Sequence, residues 1–311
     1  MAWQPICGKE RDWLKRAWTA ARREASLKRS FQQPIAEGGR ARPVIEEVDR
    51  LSEIIEVKRT RLLQSKRIVP LSLVRAHATD VRANAQPHRL AEALTDRERI
   101  NIIAEIKRAS PSKGLIRADI NPAAQGRAYE AGGASAVSVL TEEDHFCGSL
   151  DDLRKVRHAI ALPLLCKDFI FDEYQIYECA AAGADALLLI TAVLDDETLK
   201  ALLGIAEDEL GLDALIEVHT LDEMNRANRC GARIIGVNNR DLRTFEVSLT
   251  TSANLASLAS NGTVLVSESG IETWDDIQRL RTFGYRGFLI GEHLMRADNP
   301  ERALRALLDG R

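Results

Sequence analysis

The most constraining feature of this chain is a pattern that begins after residue 100. A short continuous apolar run is followed by a polar stretch with a helix-start signal, a glycine, and then the next apolar run. The runs are Ile102–Ala104, Ala136–Leu140, Pro163–Cys166, Ala186–Ile190, Leu215–Val218, Ile234–Val237, Val264–Val266 and Phe288–Ile290. Segments that are apolar throughout, rather than at every second residue, belong to strands covered on both faces, as in a parallel sheet. Ser149-x-x-Asp152, Thr220-x-x-Glu223 and Thr273-x-x-Asp276 each fit a capping box just after a strand. Gly133, Gly183, Gly231 and Gly284 stand before the next strand, where a helix end calls for a left-handed residue. This grammar predicts an α/β chain built as a single (β/α)8 TIM barrel. A doubly wound sheet is the alternative. It normally carries a glycine-rich phosphate loop after an early strand, and neither GxGxxG nor GxxxxGK[ST] occurs here.

The segment before the barrel reads in two parts. Residues 44–311 form the expected catalytic domain, with one helix from Val44 to about Lys66 and a shorter one over Leu71–Ala78 within its leading 44–78 stretch. Residues 1–43 form an extension carrying Trp3, Trp13 and Trp18. A helical stripe of Trp13, Leu14, Ala17, Trp18 and Ala21 precedes linker punctuation at Gln32-Gln33-Pro34 and Gly38-Gly39. An appended helix that docks on the main domain, on a second copy or on a pathway enzyme is the expectation. Organellar targeting is the alternative, but Glu10, Asp12 and Glu24 are many acids for a transit peptide.

Composition narrows the function classes. A formal net charge of −3 gives no overall attraction to nucleic acid or to an anionic membrane. No run of eighteen apolar residues occurs and no secretory signal opens the chain, so a cytoplasmic setting is expected. The five cysteines are scattered without a CxxC pair, and the six histidines show no HExxH spacing. No metal and no organic cofactor are expected.

Chemistry is concentrated where the strands end. The first strand runs into Glu105-Ile106-Lys107, the third into Lys167-Asp168, and the fifth contains Glu217. The sixth ends in Asn238, the seventh in Ser267-Glu268-Ser269-Gly270 and the eighth in Gly291-Glu292. A lone buried charge costs several kcal/mol unless paired, so repeated charges at one end of a barrel point to a site. In such barrels the C-terminal ends of the strands form the catalytic face. Glu105 and Lys107 are two residues apart and share a side of their strand. Lys107 and Lys167 would repel one another unless Glu105, Glu217 or an anionic ligand lies between them. Ser269-Gly270 and Gly291 match the phosphate cradle that barrels build after strands seven and eight. Phe146, Phe169 and Phe245 fall just beyond strand ends, a platform for an aromatic ring. Arg108–Gly114 reads as a loop able to close over a ligand. His219 reads as a solvated residue at the start of a capped helix.

These residues together resemble the indole-3-glycerol phosphate synthase family of tryptophan biosynthesis. The resemblance runs over about residues 44–311 through Glu105-Ile106-Lys107-Arg108-Ala109-Ser110-Pro111-Ser112-Lys113-Gly114, Ser138–Glu142 with Phe146–Ser149, and Cys166-Lys167-Asp168-Phe169. It continues through Glu217-Val218-His219, Gly236-Val237-Asn238-Asn239-Arg240-Asp241-Leu242, Ser267–Ile271 and Leu289–Glu292. It implies a barrel with extra N-terminal helices that closes the indole ring of a small phosphorylated aromatic substrate, with loss of CO2 and water. It implies Lys167 as the acid, Lys107 as holder of the substrate carboxylate, and Glu105 as the group that orients both lysines. Glu217 would be the base or second proton shuttle, with Asn238 positioning the intermediate. The resemblance further implies that Ser110 and Arg240 contact substrate, that Phe146, Phe169 and Phe245 enclose the ring, and that Ser269, Gly270, Gly291 and Glu292 bind phosphate. How the acid and base duties divide between the lysines stays open. Other phosphate-barrel enzymes, such as a ketose-amine isomerase or a Schiff-base aldolase, are the rival readings, as is a barrel that only scaffolds a partner. Residues 1–43 lie outside the family pattern. Position 245 is Phe where small aliphatic residues are also common.

Overall fold

The computed structural model describes residues 50–111, 113–241 and 246–310. These fall into two compact units, one up to Leu73 and one from Val74 onward. In the first, helix α1 (Arg50–Ile68) buries Ile54, Ile55 and Leu62. Helix α2 (Leu71–Arg82) spans the division and runs one turn beyond the expected Ala78.

The second unit is a closed barrel of eight parallel strands: β1 (Asn101–Ile106), β2 (Ala136–Leu140), β3 (Leu164–Lys167), β4 (Ala186–Ile190), β5 (Asp213–Val218), β6 (Ile234–Asn238), β7 (Val264–Glu268) and β8 (Gly287–Ile290). Each strand pairs with its neighbours in sequence, and β8 pairs with β1 to close the ring. Every residue of β1, β2, β4, β5, β6, β7 and β8 is buried, as strands sandwiched between a filled interior and outer helices must be. The interior is packed by Ile103, Leu165, Leu188, Leu215, Ile234, Val266 and Leu289. Burying each such side chain is worth about 1.5–3 kcal/mol relative to leaving it in water. Leu90 and Leu94, from and just after the short helix α3 (Arg89–Ala93), join the same cluster. No sequence signal pointed to that plug.

The expected punctuation is present. Gly133 and Gly284 close their helices at φ 95° and 96°. Ser149, Thr220 and Thr273 each accept a hydrogen bond from the backbone N–H three residues on. Among the three, only Thr273–Asp276 forms the full reciprocal box. Asp152 and Glu223 turn their carboxylates elsewhere. Among the described residues, no helix is long and apolar enough to cross a membrane.

Candidate active site

Parallel register carries the charged residues to one end of the barrel. Glu105 stands beside Ser138, Leu140 beside Lys167, Ile190 beside Glu217, and Asn238 beside Glu268. Lys107 follows β1 directly, so its amine can turn back onto the Glu105 carboxylate, at 2.6 Å. The Lys167 ammonium sits among three carboxylates from three strands: Glu268 at 2.9 Å, Glu217 at 3.7 Å and Glu105 at 3.8 Å. Sequence reasoning thus placed Glu105, Lys107, Lys167 and Glu217 in one cluster, and the structure brings them together.

Glu268 is the group that the sequence reading noted but left without a role. Its carboxylate is 1 % exposed, and Oε1 has no hydrogen-bond partner among the described residues. Its available signal was the register: β7 ends level with Asn238, so its last side chain must reach the same mouth. Room for it comes from Gly236, where an added Cβ would overlap Glu268 Oε1. Gly291 has the same relation to Glu105 Oε1, so this glycine serves the carboxylate whatever else it does.

Electrostatics separate the acids. Burial works against ionisation of Glu105, but Lys107 and Lys167 overcome it and hold its carboxyl below the usual range. Burial also works against the charge on Lys167, yet Glu268, Glu105 and Glu217 together raise its pKa above that of a free lysine. Glu268 is pushed up to about 7, because burial and the neighbouring Glu217 outweigh the pull of Lys167. The cluster therefore pairs a firmly charged ammonium with a carboxyl that exchanges its proton near neutrality.

The other predicted residues that the structure describes lie on segments at or just beyond the strand ends. Asn238 Oδ1 accepts from the Arg240 backbone N–H at 3.0 Å, and Arg240 reaches toward Glu292 at 3.9 Å. Phe146 and Phe169 lie with ring centroids 6.1 Å apart and planes tilted by 43°. Glu142 fixes the Phe146 end by accepting from the backbone N–H groups of Asp144, His145 and Phe146. Ser269 and Gly270 take successive left-handed conformations at φ 68° and 77° just beyond β7. That geometry is uncommon for serine and costs energy unless its surroundings enforce it. Asn239 does part of this, donating to the carbonyls of Glu268 and Ser269. Glu292 opens a five-residue helix after Gly291 and pairs with Arg296 at 3.1 Å. Phe245 lies outside the described residues. Ser110 belongs to a two-residue hairpin with Gly114, tied down where Ile116 and Arg117 donate to the Arg108 carbonyl. The guanidinium of Arg108 grips Asp152. His219 departs from expectation: its side chain is only 12 % exposed and lies between Glu217 and Glu223. The sequence could not show this, because Glu223 was read as a cap for its own helix. Among the described residues, no group of three or more His, Cys, Asp or Glu is arranged to hold a metal ion.

The family model for indole-3-glycerol phosphate synthase matches residues 51–307 of this chain. This chain belongs to that family. Curated members resemble it over nearly their whole length. The indole-3-glycerol phosphate synthase of Carboxydothermus hydrogenoformans is 47% identical over 262 residues, 83% of this chain and 99% of that protein. The one from Desulfosudis oleivorans is 44% identical, covering 84% of this chain and 98% of that protein. Among solved structures, thiamine phosphate pyrophosphorylase from Pyrococcus furiosus superposes with a TM-score of 0.51 at 16% identity, over 68% of this chain and 95% of its own. At that identity the likeness speaks for the barrel alone. Family membership makes the chain a decarboxylating carbon–carbon lyase of tryptophan biosynthesis with a small phosphorylated substrate.

Proposed function

We propose that the charged mouth closes the ring of 1-(2-carboxyphenylamino)-1-deoxyribulose 5-phosphate, giving indole-3-glycerol phosphate, CO2 and water, with roles divided as follows. The observation that carries this reading is Lys167, whose amine lies within 4 Å of carboxylates from β1, β5 and β7. As the substrate's ring carbon attacks the ketose carbonyl, negative charge grows on the carbonyl oxygen. A buried ammonium there stabilises that charge and delivers a proton. Lys107, anchored by Glu105, holds the substrate carboxylate until it leaves as CO2. Glu217 then serves the dehydration, moving a proton between the new carbon framework and the departing hydroxyl. Asn238 holds the intermediate, and Glu268 returns a proton to Lys167 through their 2.9 Å contact.

Around this centre, Phe146, Phe169 and Phe245 enclose the aromatic ring, and Ser110 and Arg240 contact the substrate. Backbone N–H groups at Ser269, Gly270, Gly291 and Glu292 take the phosphate. Residues 44–311 act as the catalytic domain, and residues 1–43 serve contacts with a second copy or a pathway enzyme in the cytoplasm. Sedimentation of the full chain with and without those residues tests that last element.

The direct test is to add the carboxyphenylamino-deoxyribulose phosphate and follow indole fluorescence. Rising fluorescence with one CO2 released per product supports the reading. A chain that leaves this substrate unchanged ends it. Borohydride added with substrate distinguishes the Schiff-base alternative, which alone predicts a covalent mass increase on Lys107 or Lys167.

A further inference from the structure

Of the three helices capped by Ser149, Thr220 and Thr273, the first two leave their box open, and each released carboxylate takes a basic residue that follows a strand end. Asp152 takes Arg108, the neighbour of Lys107. Glu223 takes His219. Its Oε2 accepts from the His219 backbone N–H at 2.6 Å and lies 3.3 Å both from the ring Nδ1 and from the Thr191 hydroxyl, whose nearer acceptor is the Glu217 backbone carbonyl at 2.7 Å. The other ring nitrogen, Nε2, is 3.5 Å from Glu217 Oε1 and has no hydrogen-bond partner among the described residues. Glu217 thus faces Lys167 and His219 through separate oxygens, Oε2 near Lys167 at 3.7 Å and Oε1 near His219 Nε2 at 3.5 Å.

We propose that His219 is a positioning residue for the Glu217 carboxylate, itself oriented by the diverted helix-cap carboxylate of Glu223. The proposal rests on the reading of Glu217 as a proton carrier. A carboxylate held by one partner can rotate about its last bond, whereas one held at both oxygens presents a fixed lone pair to the reacting atoms. The ring can hold both acids only as imidazolium, because a neutral imidazole donates from a single nitrogen. The groups facing it are Glu217 from β5, Glu223 from its own helix, Glu268 from β7 and the Thr191 hydroxyl after β4. Burial alone would discharge the ring, but the carboxylates reverse that and raise its pKa above the ordinary histidine value. As pH rises through that raised value, the ring gives up one of its two carboxylates. Glu223 keeps its bond from the His219 backbone N–H, so Glu217 is the acid released.

Two measurements on the full ligand-free chain and its variants test this. In NMR titrations, with the signal assigned by its loss in His219→Gln, the His219 imidazole should titrate above pH 6.5, and both E217Q and E223Q should lower its midpoint. A midpoint unmoved by E217Q overturns the proposal, and this readout requires no turnover. In kinetics, His219→Ala should lower kcat by about 10- to 100-fold with KM changed less than about threefold. His219→Gln, which keeps a donor but cannot charge, should recover most of that loss at neutral pH and lose the alkaline fall in kcat. Wild-type kcat and an unchanged pH profile in both variants also overturn the proposal. Full activity in E217Q would instead remove Glu217 from the mechanism, a distinct failure.

Discussion

Two clusters, one at each end of the barrel, bury carboxylates among cations, yet they treat them differently. At the N-terminal end, Asp185 is ringed by Arg89 at 2.9 Å, Arg157 at 2.8 Å and Arg82 at 3.7 Å, and it also accepts from the Leu164 backbone N–H. The arginines spend their remaining donors on backbone carbonyls, Arg82 on Leu210 and Gly211 and Arg157 on Leu162. Excess positive charge there is absorbed by the peptide backbone. At the C-terminal end, three carboxylates crowd one ammonium, and an oxygen of Glu268 is left without a partner. Around Asp185 the saturated bonding reads as stability; Asp213, also at this N-terminal end, keeps one oxygen without a hydrogen-bond partner among the described residues, so an incomplete bond reads as chemistry only where it sits in the charged mouth.

Four variants break or sharpen that contrast. The largest effect is expected from Lys167→Ala, which should lower kcat by about 10²–10⁴ while the circular dichroism spectrum keeps its native form, with a lower melting temperature because three buried carboxylates lose their ammonium. Unchanged turnover would take Lys167 out of the reaction. Asp185→Ala should do the reverse. Stranding buried arginines costs about 3–5 kcal/mol in urea unfolding, with kcat of the folded fraction unaltered.

Glu268→Gln probes proton exchange. Because burial raises the folded pKa to about 7, above the 4.5 of a free glutamate, ionising Glu268 costs the native state stability. The wild type should therefore match the variant best below pH 4.5 and fall behind it by up to about 3 kcal/mol as pH rises through 7. Parallel stability curves from pH 4.5 to 8 would contradict the shift. Ser269→Asp, which sets a negative charge in the phosphate cradle, should raise KM about tenfold or more with a smaller change in kcat. An unaltered KM would move the phosphate elsewhere.

The sequence was most legible where local patterning and tertiary structure agree. Eight apolar runs became eight strands, and Gly133 and Gly284 took the left-handed caps assigned to them. The strand-end charges were legible too, because a buried lysine such as Lys167 has few structural excuses. What escaped was settled by neighbours far apart in sequence. Thr220-x-x-Glu223 and Thr273-x-x-Asp276 look alike on paper, but only Thr220 has a histidine before it that competes for the acid. Leu90 and Leu94 resemble any pair of leucines in a short helix until the barrel bottom stands above them. The proton affinity of Glu268 depends on Glu217 and Lys167, which arrive from other strands.

Gly236 and Gly291 carry a consequence for how this barrel tolerates change. Each withholds a methyl group so that an acid from an adjacent strand has somewhere to lie. Alanine at either place would evict Glu268 or Glu105 while leaving every ionisable group in the chain intact. A saturation scan scored on growth without tryptophan should therefore flag both glycines as severely as the lysines, although neither needs to meet the metabolite for that to happen. At these two positions, selection would be acting on empty space.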